Sequence, residues 1–175
     1  ARDRHVTTAL ATNATLVDDD VAKRLAELGV PRASVSLDGA DASSHDAFRG
    51  IRGSFDQAVA GIRSLRRAGI EVQLNVTFTK SNQRDAAAML HLVRELDACA
   101  LHAFLLVPVG CGVDLPDSIR LEPAEVERLL TFLDTEAGVR DLEIRATCAP
   151  QAQRIRIQRA RDRARKGLPE VRRSE

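Results

Sequence analysis

The chain has 175 residues, of which 44% are hydrophobic and 29% charged, and its net charge is +1. That length suits one domain with a buried core, the apolar-to-charged balance excludes a disordered chain, and near-neutrality removes any general pull toward nucleic acid. The longest apolar run, residues 104–109, falls far short of the roughly 20 residues that span a bilayer, and no apolar stretch follows Arg2 and Arg4 as in a secretory leader, so a cytoplasmic protein without a membrane or nucleic-acid partner is expected.

In chain order, short β-branched runs recur about every thirty residues, each followed by a segment of helical periodicity. Residues 6–12 form the first run. Asp18 to Asp20 then supply acids to a first helical turn whose apolar face holds Val21, Leu25 and Leu28, and Gly29 ends that helix. Residues 33–37 alternate as a second strand closed by Asp38-Gly39. After a polar loop, Gly53-Ser54-Phe55-Asp56 reads as a helix start with Val59, Ile62 and Leu65 facing inward. Residues 71–78 make a third strand, Asn82 or Asp85 caps the next helix, and Met89, Leu92, Val93 and Leu96 are its buried face. A fourth strand over residues 102–107 leads into a loop with Pro108, Gly110, Gly112 and Pro116. Pro123 opens a fifth helix, residues 142–146 a fifth strand, and a charged helix follows Pro150. From Arg154 to Arg173 nine basic residues stand against two acidic ones, the composition of a solvated helix face or tail.

These units give an α/β fold of about five parallel strands with alternating helices. Periodicity alone leaves a doubly wound sheet and a partial (β/α) barrel both open. In either, ligand chemistry sits at the C-terminal strand ends. There the sequence offers Thr12 and Asn13, then Ser36 and Asp38-Gly39, then Asn75 and Thr77, then Pro108 to Gly110, and Thr147-Cys148. Hydroxyls, amides and one carboxylate suit a ribose and an amino-acid moiety, and they suit loop caps and turns equally well.

Val35-Ser36-Leu37-Asp38-Gly39, His45-Asp46, Arg49-Gly50, Gly53-Ser54-Phe55-Asp56, Ala68-Gly69-Ile70 and Asn75-Val76-Thr77 together resemble the middle of radical S-adenosylmethionine enzymes with SPASM extensions. Residues 105–112 and Thr147-Cys148-Ala149-Pro150 look most like the branch related to heme biosynthesis enzymes. The resemblance implies a partial (β/α) barrel fragment entering at its third strand, with residues 1–147 as barrel and 148–175 as the start of a C-terminal extension. It implies S-adenosylmethionine as cofactor, bound by Thr12, Asn13, Ser36, Asp38, Arg49 and Asn75, with Arg49 meeting the cofactor carboxylate. His45 is read as a cap or packing group in its loop. The resemblance also implies an electron donor and a small-molecule or peptide substrate, a tetrapyrrole side chain being one possibility, from which hydrogen is abstracted.

The family's four-iron four-sulfur cluster is held by a Cys-x3-Cys-x2-Cys loop, and this sequence has only Cys99, Cys111 and Cys148, widely spaced. A fragment inactive by itself is therefore expected. Cys148 follows the last strand where relatives begin the ligand set of an auxiliary cluster, so it is the metal-ligand candidate in a complete protein. Two other readings compete: a non-catalytic βα module associating through open sheet edges or the basic tail, and an ordinary barrel enzyme using Asp38 as general base.

Overall fold

The computed structural model describes residues 6–107, 114–139 and 142–168. Five strands alternate with helices: β1 (Ala9–Thr12), α1 (Asp19–Glu27), β2 (Arg32–Ser36), α2 (Ala42–Arg49), α3 (Ser54–Arg67), β3 (Glu71–Phe78), α4 (Ala86–Glu95), β4 (Ala100–Leu105), α5 (Pro123–Val139), β5 (Glu143–Thr147) and α6 (Gln151–Arg165). The strands are parallel and hydrogen-bonded in the order β1-β2-β3-β4-β5. Order in space follows order in sequence with no reversal, which distinguishes a partial barrel from a doubly wound sheet. The chain forms two compact units, residues 1–76 with 87–101, and residues 77–86 with 102–175.

In the first unit, period-two alternation sorts the strands into two faces. Ala33 pairs with Val72 and Val35 with Leu74, and these side chains are buried together. Helix α3 lies against β2, and its Val59, Ile62 and Leu65 are buried at the spacing of one helical face. Each such side chain contributes roughly 1.5–3 kcal/mol by leaving water. The opposite face carries Ser34 across from Gln73 and Ser36 across from Asn75. The second and third strands thus bury one face against helices and carry hydroxyls and amides on the other, a face suited to a polar ligand. Strand β1 adds only Ala9 and Ala11 to it, because Thr12 pairs with Val35 on the buried face.

Local signals explain most element ends. Asp18 caps α1 by accepting the Val21 amide hydrogen at 2.8 Å. The stretch expected to be a polar loop contains α2 instead. Asp41 and Ser44 close a reciprocal capping box at its start, and buried His45 is its anchor. Eight residues with one large apolar side chain, Phe48, give too little periodicity for a helix to show in the pattern. Asn82 does not cap α4: its Oδ1 accepts the Thr79 amide hydrogen at 2.8 Å and its Nδ2 donates to the Thr77 carbonyl at 2.9 Å. It closes the turn beyond β3, and α4 begins at Ala86 after a single 3-10 turn over Gln83–Asp85.

In the second unit, Leu130, Ala149 and Ile155 form a small core with Val126 and Ala146 packed on it. The arginines of α6 are partly neutralised against α5, Arg154 pairing with Glu127 and Arg159 with Asp134 at 2.9 Å. Among the described residues no helix is long and apolar enough to cross a membrane.

Candidate functional site

The ends of β1 and β2 lie side by side, with Asn75 of β3 next to the end of β2. Thr12 pairs with Val35, Ser36 pairs with Asn75, and the Leu37 amide donates to the Asn75 carbonyl at 2.9 Å. Ser36 and Asn75 are therefore direct cross-strand neighbours, both half-buried. Gln73 Nε2 donates to Asn75 Oδ1 at 2.7 Å, which fixes the orientation of the Asn75 amide.

At the tip of β1 the oxygens shape the backbone. Thr12 Oγ1 accepts the Ala14 amide hydrogen at 3.0 Å, and Asn13 Oδ1 accepts from the Thr15 amide at 3.2 Å and from the Thr15 hydroxyl at 3.1 Å. These contacts hold buried Ala14 at φ +59°, a left-handed conformation that costs a residue with a Cβ. Helix α3 fits behind this turn through Gly61, where an added Cβ would collide with the Ala14 carbonyl oxygen.

Beyond β2, Asp38 is 1% exposed, and its Oδ2 lies 2.6 Å from Arg49 Nη2. A carboxylate so buried needs a cationic partner. Arg49 comes from the last turn of α2, and two neighbours on that helix fasten it in place. His45 Nδ1 accepts the Asp38 amide hydrogen at 3.0 Å, while Asp46 accepts from the Gly53 amide, from Ser54 Oγ at 2.9 Å and from the Phe55 amide at 2.9 Å. The chain must pass Gly39 closely to allow this, since a Cβ there would stand 2.7 Å from the Ser44 carbonyl carbon. Burial pushes the His45 imidazole below its ordinary pKa, the Asp38 carboxylate pulling the other way.

The Asp46 carboxyl is held below the usual carboxylate range, chiefly by the Phe55 amide, with further help from Gly53 and Ser54. A depressed folded-state pKa stabilises the fold above the unfolded value, and that contribution disappears as pH falls through the folded one. Asp46→Asn is thus expected to lower the unfolding temperature near neutral pH. The gap to wild type should close as pH falls below the ordinary aspartate range, as thermal denaturation at several pH values would show.

Of the six candidate cofactor contacts, the structure brings Ser36 together with Asn75 and joins Asp38 to Arg49, with Thr12 and Asn13 shaping the adjacent tip. Sequence reasoning missed the link from His45 to Asp38 and the Asp46 clamp on α3. The spacing Asp41-x-x-Ser44 was the available signal, because a capping box there would have turned the loop into a helix. Cys148, in the second unit, is exposed at φ +58° directly after β5, and Cys99 is partly buried. Residues 108–113, with Cys111 and the expected tip at Pro108 to Gly110, lie outside the described residues. Among the described residues no three His, Cys, Asp or Glu side chains are grouped to hold a metal ion.

Residues 1–93 match the radical SAM superfamily. The chain belongs to that superfamily. It is 40% identical over 162 residues to the AdoMet-dependent heme synthase of Nitratidesulfovibrio vulgaris, covering 93% of this chain and 44% of that protein. To the AdoMet-dependent heme synthase of Methanosarcina barkeri it is 40% identical over 159 residues, 91% of this chain and 45% of the relative. The chain thus spans less than half the length of these relatives, and SPASM-type enzymes are also among its matches. The crystal structure of Streptococcus suis SuiB bound to S-adenosylmethionine shares the fold, with a TM-score of 0.66 at 16% identity over 83% of this chain and 32% of that one.

Membership brings S-adenosylmethionine and an iron–sulfur cluster as cofactors. The chemistry of the residues around the end of β2 is compatible with the first: Ser36 and Asn75 bring a hydroxyl and an amide side by side, and Asp38 and Arg49 pair a carboxylate with a guanidinium in the same unit. The described residues do not fit the second, since their two thiols, one exposed and one partly buried, do not belong to any grouped ligand set.

Proposed function

We propose that this chain is the cofactor-holding part of a radical S-adenosylmethionine enzyme that abstracts hydrogen from a tetrapyrrole side chain, a peptide being the alternative substrate class. The observation that carries this reading is the polar cross-strand pair, Ser36 at the end of β2 opposite Asn75 of β3, followed by Asp38 on the loop that continues β2, paired with Arg49 of α2. The heme synthases among its relatives favour the tetrapyrrole.

Bound S-adenosylmethionine supplies a carbon radical when its sulfonium is reduced. The residues of this chain bind and orient it. The Ser36 hydroxyl and the Asp38 carboxylate are suited to ribose or amino-acid hydrogens, and the Asn75 amide offers its Nδ2 as a donor. Arg49 uses one Nη on Asp38 and presents its planar fork to a carboxylate. Fixing the cofactor against a rigid sheet sets which substrate hydrogen it reaches.

In this reading the cluster is four-iron four-sulfur with its ligands supplied by another part of the enzyme, an electron donor is the further partner, and the protein works in the cytoplasm without a nucleic-acid or membrane partner. Residues 1–147 are barrel and residues 148–175 open an extension in which Cys148 begins an auxiliary ligand set.

The test is release of 5′-deoxyadenosine by the intact, anaerobically reduced protein. Wild type should form it, and a Ser36→Ala, Asn75→Ala double variant should form it at least about tenfold more slowly at limiting cofactor, two buried hydrogen bonds being lost. No deoxyadenosine from wild type, or equal rates in both, would contradict the reading.

A further inference from the structure

We propose that His45 is a positioning residue: by accepting the Asp38 amide hydrogen, its neutral imidazole holds the Asp38–Arg49 pair where S-adenosylmethionine meets it, and so makes cofactor binding sensitive to acid. This rests on the strand tips being the cofactor site.

Helix α2 is fastened on two sides by consecutive residues. His45 ties it to the chain beyond β2 through the Asp38 amide at 3.0 Å, and Asp46 ties it to the start of α3 through Gly53, Ser54 and Phe55. One turn further on, Arg49 returns to the Asp38 carboxylate at 2.6 Å. Asp38 is thus gripped at both its amide and its carboxylate by the same helix. Movement of α2 would displace both halves of the ion pair together.

The direction of the first grip determines the protonation state of the imidazole. An amide N–H pointing at Nδ1 requires a lone pair there, so the ring carries its proton on Nε2. A second proton would set two donors against each other and leave a buried amide without its acceptor. The charged groups facing His45 are Asp38 beyond β2 and Asp46 and Arg49 on α2 itself. From α3 it meets the uncharged Phe55 ring, tilted at a centroid distance of 6.0 Å. Burial outweighs the attraction of the two carboxylates and keeps the ring neutral to lower pH than an exposed histidine.

The sign of the effect follows. Above the ordinary histidine range the ring is neutral in free and bound protein, and affinity does not change on its account. Below its depressed pKa the free protein must release a proton before it can bind, so affinity falls by up to about tenfold per pH unit.

The experiment is equilibrium dialysis of S-adenosylmethionine against the intact protein at intervals from about pH 5 to pH 8, with wild type, His45→Asn and His45→Leu. Asparagine places an oxygen where Nδ1 stands and does not titrate, so it should recover the affinity that leucine loses while flattening the acid fall. Leucine has no acceptor, and binding should weaken by about tenfold or more at every pH. A purely structural histidine would alter unfolding temperature without separating the pH profiles of wild type and His45→Asn. Parallel profiles for those two, or wild-type affinity in a folded His45→Leu protein, would overturn the proposal. Should His45→Leu fail to fold, the wild-type and asparagine profiles decide alone. If wild type binds no S-adenosylmethionine at any pH, the cofactor site itself is refuted and this inference falls with it.

Discussion

Gly61→Ala is expected to destabilise the fold by about 3 kcal/mol, at the upper end for overpacking a tight contact. The added Cβ would meet the carbonyl oxygen of Ala14 and stand 3.1 Å from the Ala14 Cβ. Neither neighbour can swing aside, because both belong to a buried residue at φ +59° whose carbonyl also accepts the Val17 amide at 3.1 Å. Helix α3 would have to lift away from the Ala14 turn, at the expense of the burial of Ala58, Ile62 and Leu65. Such a shift also moves the turn that begins at Asn13, so cofactor affinity should fall along with stability. Urea denaturation measures the first effect and equilibrium dialysis the second; a midpoint within error of wild type would show that α3 does not press on this turn.

Arg49→Ala is expected to weaken S-adenosylmethionine binding by about a hundredfold, the loss of a charge-assisted contact to a carboxylate. It should also cost about 2 kcal/mol of stability, because the Asp38 carboxyl, at 1% exposure, loses its cationic partner. That figure is below the range for a fully buried pair because the Arg49 side chain is 35% exposed and shares its charge with water. Adding Asp38→Asn should restore most of the stability, since a neutral amide tolerates the site, without restoring binding. A single variant that binds as wild type, or a double variant that regains affinity, would mean Arg49 serves only to neutralise Asp38.

Much of this site was legible in the sequence for a topological reason. In a parallel βα fold every strand points its last residues to the same end, so the order of strands was enough to bring Ser36 near Asn75, although β3 runs on to Phe78 and Thr12 falls in register with Val35 on the other face. Apolar periodicity located β3 to the residue and put Val59, Ile62 and Leu65 in the core. What stayed hidden depends on α2. Its eight residues are held by a capping box and one buried histidine, so no apolar stripe announces a helix. Without that helix, nothing places His45 at the Asp38 amide or turns Asp46 toward Phe55. Asn82 misled for a related reason: a good cap residue before a helix can equally satisfy its own turn, and here it bonds Thr79 and Thr77.

Amide hydrogen exchange of the intact protein with and without S-adenosylmethionine tests the central claim most directly. New protection is expected in the segments that follow β1 and β2, around Asn13 to Thr15 and Leu37 to Gly39, and at Asn75 within β3, with α1 unchanged. Protection confined to other regions, with these three segments exchanging as in the free protein, would contradict it.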